Sequence, residues 1–176
     1  MKNRRDFEAQ MVTLLPRLRR FAIGLAGSAD EGEDLLQAAC LKALEKWQQW
    51  QPGTRLDSWI YKIIHTIWLD RRKSAASRLV KIDTDAALAA SDRLATETIE
   101  HAYETRRDLE QAQRAIDNLP IDQRSVLMLV VGQGLSYQEA ADALQIPIGT
   151  VMSRLARARW SLGRTASALK DSENAS

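Results

Sequence analysis

Apolar residues along this chain recur at intervals of three and four rather than two, and β-branched runs are short, so the pattern predicts helix throughout and an all-α fold. Between Asp6 and Leu25 the positions Met11, Leu14, Leu15, Leu18, Ala22 and Leu25 predict a first helix, which Pro16 is expected to bend or divide. Gly27-Ser28 closes it. A second helix is expected from about Asp30, with Asp30, Glu31, Glu33 and Asp34 complementing the positive end of its dipole. Leu36, Cys40, Ala43 and Trp47 would form its buried stripe, and Pro52-Gly53 stops it. A third begins near Asp57 or Ser58 and runs into the basic triplet Arg71-Arg72-Lys73. Its first half is apolar on most sides, which implies burial between other helices.

From Ser77 to about Thr105 periodicity is weak and small or acidic residues dominate, so a linker with some helical character is expected. Leu109, Ala112, Ile116 and Leu119 mark a further helix ended by Pro120, and the helix from Ile121 to Val131 ends at Gly132 or Gly134. The stretch from Leu135 to Arg159 then reads as a short helix, a tight turn and a second helix bearing arginines. Ser136 and Glu139 have the spacing of a capping box, Ala140, Ala141 and Ala143 keep the first helix thin, and Pro147 stands where a first-turn proline loses no hydrogen bond.

On the second helix Val151, Leu155, Ala158 and Leu162 share one stripe, and Gly149, Ser153, Ala156, Arg157 and Trp160 share the opposite face, flanked by Arg154 and Arg159. No acid occurs from Leu144 through Leu169. A helix-turn-helix places such a helix in the major groove, where phosphate contact is salt-dependent and Ser153 and Arg157 could reach base edges. Residue chemistry alone also allows a solvated basic face on an ordinary helical hairpin.

A chain of 176 residues could be one domain or two small ones, and the tether favours two. The net charge of +2 is unevenly spread: basic clusters lie at the amino end and at Arg71–Lys81, and the run from Asp83 to Glu110 is acid-rich. The single cysteine, Cys40, cannot form an internal disulfide, and the amino end lacks a signal-peptide pattern, so a cytoplasmic protein is expected. No window is apolar enough to cross a bilayer. His65 and His101 without a second cysteine make a poor zinc set, so neither metal nor cofactor is expected. No phosphate loop, nucleophile elbow or paired metal-binding histidines occur, so no enzyme is expected.

Leu119-Pro120, Gln123-Arg124, Gly134-Leu135-Ser136-Tyr137, Glu139-Ala140-Ala141 and Gly149-Thr150-Val151 leading to Arg157-Ala158-Arg159 occur together with Glu33-Asp34-Leu35-Leu36-Gln37 and Trp59-Ile60-Tyr61-Lys62-Ile63. In this order and spacing they resemble the bacterial sigma factors of the extracytoplasmic-function type, specificity subunits of RNA polymerase within the sigma-70 family. The resemblance implies a sigma2-like three- or four-helix bundle over 1–80, a flexible acidic linker over 81–106, a sigma4-like helix-turn-helix domain over 107–170 and a tail over 171–176.

It further implies that Asp34, Leu35 and Gln37 dock on the clamp of core RNA polymerase. Trp59, Lys62, Thr66, Arg71, Arg72 and Lys73 would serve the −10 element of promoter DNA through stacking and phosphate attraction. Thr150, Met152, Ser153, Arg154, Ala156, Arg157 and Arg159 would serve the −35 element, and an anti-sigma factor would sequester the chain. Four residues depart from the family pattern: Thr66 stands where asparagine is frequent, Ala38 where an acid is common, and Met152 and Ala156 replace bulkier or polar residues. The alternative is a stand-alone helix-turn-helix regulator; a hydrolase with a DNA-binding tail lacks an acid–base or metal cluster.

Overall fold

The structure, a computed structural model, describes residues 3–79 and 101–173, and side-chain surroundings for 3–75 and 109–165. Its regular elements among the described residues are all helical: α1 (Arg4–Ala26), α2 (Ala29–Glu45), α3 (Leu56–Leu79), α4 (His101–Asp117), α5 (Ile121–Leu127), α6 (Tyr137–Leu144) and α7 (Ile148–Glu173). A 3-10 turn, Trp47–Gln49, follows α2, and α5 runs on into a π turn, Met128–Gly132.

The Asn3 side chain accepts from the Arg5 N–H to start α1, and Gly27 ends it in the left-handed region, φ 86, donating to the Ile23 carbonyl. Pro16 does not divide α1 as expected. It removes only the bond to the Val12 carbonyl, and both residues face solvent, where water can replace that bond. Leu18, Phe21 and Leu25 beyond the proline and Phe7 and Met11 before it are buried, so packing holds the two halves of the helix in line.

In α2 the Ser28 side chain accepts from the Glu31 N–H at 3.3 Å, so the residue expected to close α1 in fact opens α2. Leu35, Ala39 and Ala43 are its deepest residues; of the expected stripe Leu36 and Ala43 are buried, while Cys40 and Trp47 are only partly buried against them. Burial pushes the Cys40 thiol up, which suits a packing role. Gly32 lets α2 cross α1 at backbone contact: a Cβ there would lie 2.5 Å from the Ile23 Cα. Near the opposite end of α1 the ring of Phe7 packs against Trp47, Trp50 and Trp59 with centroids 5.9–6.5 Å apart.

In the carboxy-terminal half the capping box of α6 is complete: Ser136 Oγ accepts from the Glu139 N–H, and a Glu139 carboxylate oxygen accepts from the Ser136 N–H at 2.7 Å. Gln145 takes the left-handed conformation, φ 56, to turn the chain into α7. Val151, Leu155 and Ala158 are buried and Leu162 packs partly against them, as their spacing predicts. The linker expected over 81–106 is shorter at its far end, because α4 already begins at His101. Residues 81–100, with Asp83, Asp85, Asp92, Glu97 and Glu100, lie outside the described residues.

The two halves pack on each other, and their buried apolar side chains form one connected cluster rather than the two separate cores expected. Helix α3 carries much of this contact, with α6 against it, while α1 meets the π turn and α5. Gly24 of α1 leaves the space that the Met128 side chain fills. Arg124 donates to the Leu25 carbonyl at 3.0 Å and to the Asp117 carbonyl, so one guanidinium serves orphan carbonyls near the ends of α1 and α4.

Replacing Gly32 by alanine is expected to destabilise the fold by about 1–3 kcal/mol, because backbone cannot yield to the added carbon. Urea unfolding checks this; a midpoint equal to the parent's would show that the crossing has slack.

Candidate nucleic-acid interface

Helix α7 presents two opposed faces. Met152, Ser153, Ala156, Arg157, Arg159 and Trp160 are exposed, and Thr150 is half-buried. A Cβ on Gly149 would meet nothing within 4 Å, so the amino end of this face is open. Of the arginines expected to meet DNA here, Arg154 is the one already engaged: it is 24% exposed and pairs with Asp122 of α5 at 2.8 Å. That pair braces the recognition helix against α5, whereas Arg157 and Arg159 point outward.

Along α3 the exposed residues Lys62, Thr66 and Lys73 fall within an arc of about 40°, with Trp59 and Asp70 at its edge. Thr66 Oγ1 donates to the Lys62 carbonyl at 2.8 Å, which fixes its rotamer. The structure does not gather the rest of the expected set on that stripe. Arg71 turns toward α2 and donates to the Asp34 carbonyl at 3.3 Å, while the Arg72 guanidinium lies 6.0 Å over the Trp68 ring. Trp59 is half-buried, edge-on to Phe7 at 6.2 Å, so only part of its face is available to a base.

On α2 Asp34 and Gln37 are exposed on one face, but Leu35 is fully buried. Leu35 points a third of a turn away from Asp34 and into the core, so it lies beneath the face that Asp34 and Gln37 share. Exposed Leu41, one turn after Gln37, continues that face; its spacing was visible in the sequence.

Sequence reasoning missed a polar seam between the halves. Asp57 is buried and takes Arg55 Nε at 3.0 Å, with Arg17 Nη1 at 3.7 Å. Burial alone would raise its carboxyl, but Arg55, the Ser58 N–H and Arg17 outweigh it and hold the group below the usual carboxylate range. Arg55 also reaches Glu139, whose other oxygen closes the α6 cap; the Ser136 hydrogen bonds and Arg55 together lower that carboxyl. Arg17 donates to the Gln133 carbonyl at 2.9 Å, and the buried Tyr61 hydroxyl donates to Gln133 Oε1 at 3.3 Å. The pairs that cross between the halves, Arg17 with Gln133, Arg55 with Glu139 and Tyr61 with Gln133, lie 72 to 116 residues apart, and no local spacing announces them.

Residues 11–78 match the family model described as Sigma-70 region 2, and residues 109–162 match Sigma-70, region 4. The chain is 35% identical over 153 residues to the ECF RNA polymerase sigma factor EcfG of Rhodopseudomonas palustris, covering 86% of this chain and 80% of that one. It belongs to the extracytoplasmic-function sigma factors of the sigma-70 family.

Another relative of this sigma factor is HrpL of Pseudomonas syringae, an RNA polymerase sigma factor 31% identical over 151 residues, covering 82% of this chain and 78% of that one. Among solved structures, the sigma factor RpoE of Bartonella quintana, in complex with the anti-sigma factor NepR, superimposes with a TM-score of 0.78 at 28% identity, covering 92% of this chain and 97% of that one. The exposed α7 face therefore lies in the region-4 match and the α3 stripe in the region-2 match. Among the described residues no group of histidine, cysteine, aspartate and glutamate could hold a metal ion, and no helix is long and apolar enough to cross a membrane.

His65 on α3 connects the sigma factor's two halves electrostatically. Only 8% exposed, with Nε2 unpartnered, it is kept below its ordinary pKa by burial, against the opposing pull of Asp122 and with a further push from Arg154. The unfolded chain therefore takes up this proton first, and stability falls as pH drops below about 6.5, the ordinary histidine value. Urea midpoints at pH 7.5 and 5.5 should differ less in His65→Phe than in the parent; an equal difference would take His65 out of that step.

Proposed function

We propose that this sigma factor directs core RNA polymerase to promoters by using α7 on the duplex −35 element and the α3 stripe on the opened −10 element, with no catalysis of its own. The observation that carries the reading is the outward face of α7, where Ser153 and Arg157 stand exposed on a helix that holds no acid before Asp171 and whose opposite stripe is buried. Arg157 suits the O6 and N7 of guanine, and exposed Met152 and small Ala156 suit apolar contact with a thymine methyl. Arg159 and Thr150 serve the phosphate ridges beside them, and Arg154 supports the helix through Asp122.

On α3, Lys62 and Lys73 attract the single strand, Thr66 offers a hydroxyl, and the exposed part of Trp59 offers a stacking surface. Asp34 and Gln37, with Leu41, form the polymerase-docking face, and Arg71 ties that face to the basic end of α3. The complex of RpoE with NepR supports a further expectation, that an anti-sigma factor holds this chain inactive. The site of action is the cytoplasm, where polymerase and promoter reside.

In transcription with core polymerase across the host's upstream regions, the chain should start transcripts at defined sites while binding promoter duplex weakly alone. Strong palindrome-dependent binding by the free chain would instead mark a stand-alone regulator. Arg157→Ala should lower use of the upstream element by about 1–3 kcal/mol, measured by promoter competition. Asp34→Ala with Gln37→Ala should weaken capture of core polymerase while leaving circular dichroism and melting unchanged; undiminished capture would move the docking face elsewhere.

A further inference from the structure

The reading face of α7 does not stop at Arg157. Ser153, Arg157, Trp160 and Arg164 lie at steps of four, three and four residues, which keeps them within an arc of about 60° opposite the buried Leu155. Trp160 is 65% exposed, and the Arg164 guanidinium rests 4.8 Å from the centre of its ring. Trp59 and Trp68, by contrast, are drawn into the core, and Trp47 and Trp50 pack on Phe7. A largely exposed indole gains nothing from burial within this chain, and the stacked cation is held in a fixed position over it.

We propose that Trp160 and Arg164 form a phosphate clamp that anchors α7 on the DNA duplex beyond the bases read by Ser153 and Arg157. The inference rests on the −35 reading above. At about 1.5 Å of rise per residue, Arg164 lies about 10 Å further along the axis than Arg157, roughly the step from the floor of a major groove about 12 Å wide to its phosphate rim. The occupant is argued from charge: Arg157 and Arg164 share this side of the helix with no acid between Leu144 and Leu169, and duplex DNA is the complementary surface. The indole ring shields the guanidinium from solvent on one side and leaves its N–H groups for phosphate oxygens, and the indole N–H can donate to another. Neither group reads a base, so the pair sets affinity and register rather than sequence preference.

The test uses the full chain bound to core polymerase, a promoter duplex mapped by its own transcription, and the same duplex with its upstream element scrambled, titrated across potassium chloride. Arg164→Ala should reduce the salt slope by about 0.9, one phosphate, and weaken binding to both duplexes alike by about fivefold at 0.15 M salt. Trp160→Ala should lose a similar amount, Trp160→Phe should retain most of it, and the double variant should lose less than the sum of the singles. Unchanged slope and affinity in the double variant would overturn the clamp. So would a defect confined to capturing polymerase or a protein partner, because the surface would then belong to that partner. If the parent chain programs transcription and Arg157→Ala impairs the upstream element while the clamp variants do not, the clamp alone fails. If the parent programs no transcription, the −35 reading fails and the clamp falls with it.

Discussion

Helix α3 is the element on which both halves depend. Leu56, Ile60, Tyr61, Ile63, Ile64, His65 and Trp68 bury more than half of its circumference, against α1 and α2 on one side and α6 on the other. A helix packed on most sides cannot rotate without losing contacts everywhere at once, so its remaining stripe is held in a fixed direction. That stripe holds Lys62, Thr66 and Lys73. The same burial explains why so apolar a segment keeps polar groups at its start: Asp57 and Arg55 occupy the point where the core meets the second half, and the ion pair is tolerable there because each charge has further partners.

The seam between the halves mixes two kinds of contact. Met128 in the space over Gly24 is apolar and depends on shape. Arg55 to Glu139, Arg17 to Gln133 and Tyr61 to Gln133 are polar and depend on distance. Glu139 carries both a local and a long-range duty, because one oxygen closes the α6 cap and the other meets Arg55. Separation of the halves would expose the apolar part, yet it would leave the α6 cap intact and return most of the polar groups to water. A seam of this composition is less costly to open than a wholly apolar one. Both the α7 face and the α3 stripe are exposed, so the packed arrangement leaves both surfaces uncovered.

Local rules carried much of the reading from sequence. Ser136 and Glu139, the stripe of Val151, Leu155 and Ala158, and the outward Ser153 and Arg157 depend on residues a few positions apart on one helix, where backbone geometry dictates which side chains share a face. The motifs of both halves reached the family for the same reason. Local rules misjudged Pro16, whose cost depends on which side of the helix faces water; the resemblance groups Leu35 with Asp34, yet one step along the helix it points inward.

The sequence by itself determined the all-helical fold, the helix-turn-helix, the acid-free stretch from Leu144 to Leu169 and the membership in the sigma family, because each follows from short-range spacing or from motifs. Only the tertiary structure decided that the halves share one core, that Arg154 is spent on Asp122, that Arg71 turns to Asp34, and that Arg55, Asp57 and Glu139 meet. Those outcomes depend on partners brought together by chain closure over tens of residues, and a one-dimensional pattern holds no information about which distant charge or cavity a side chain will find.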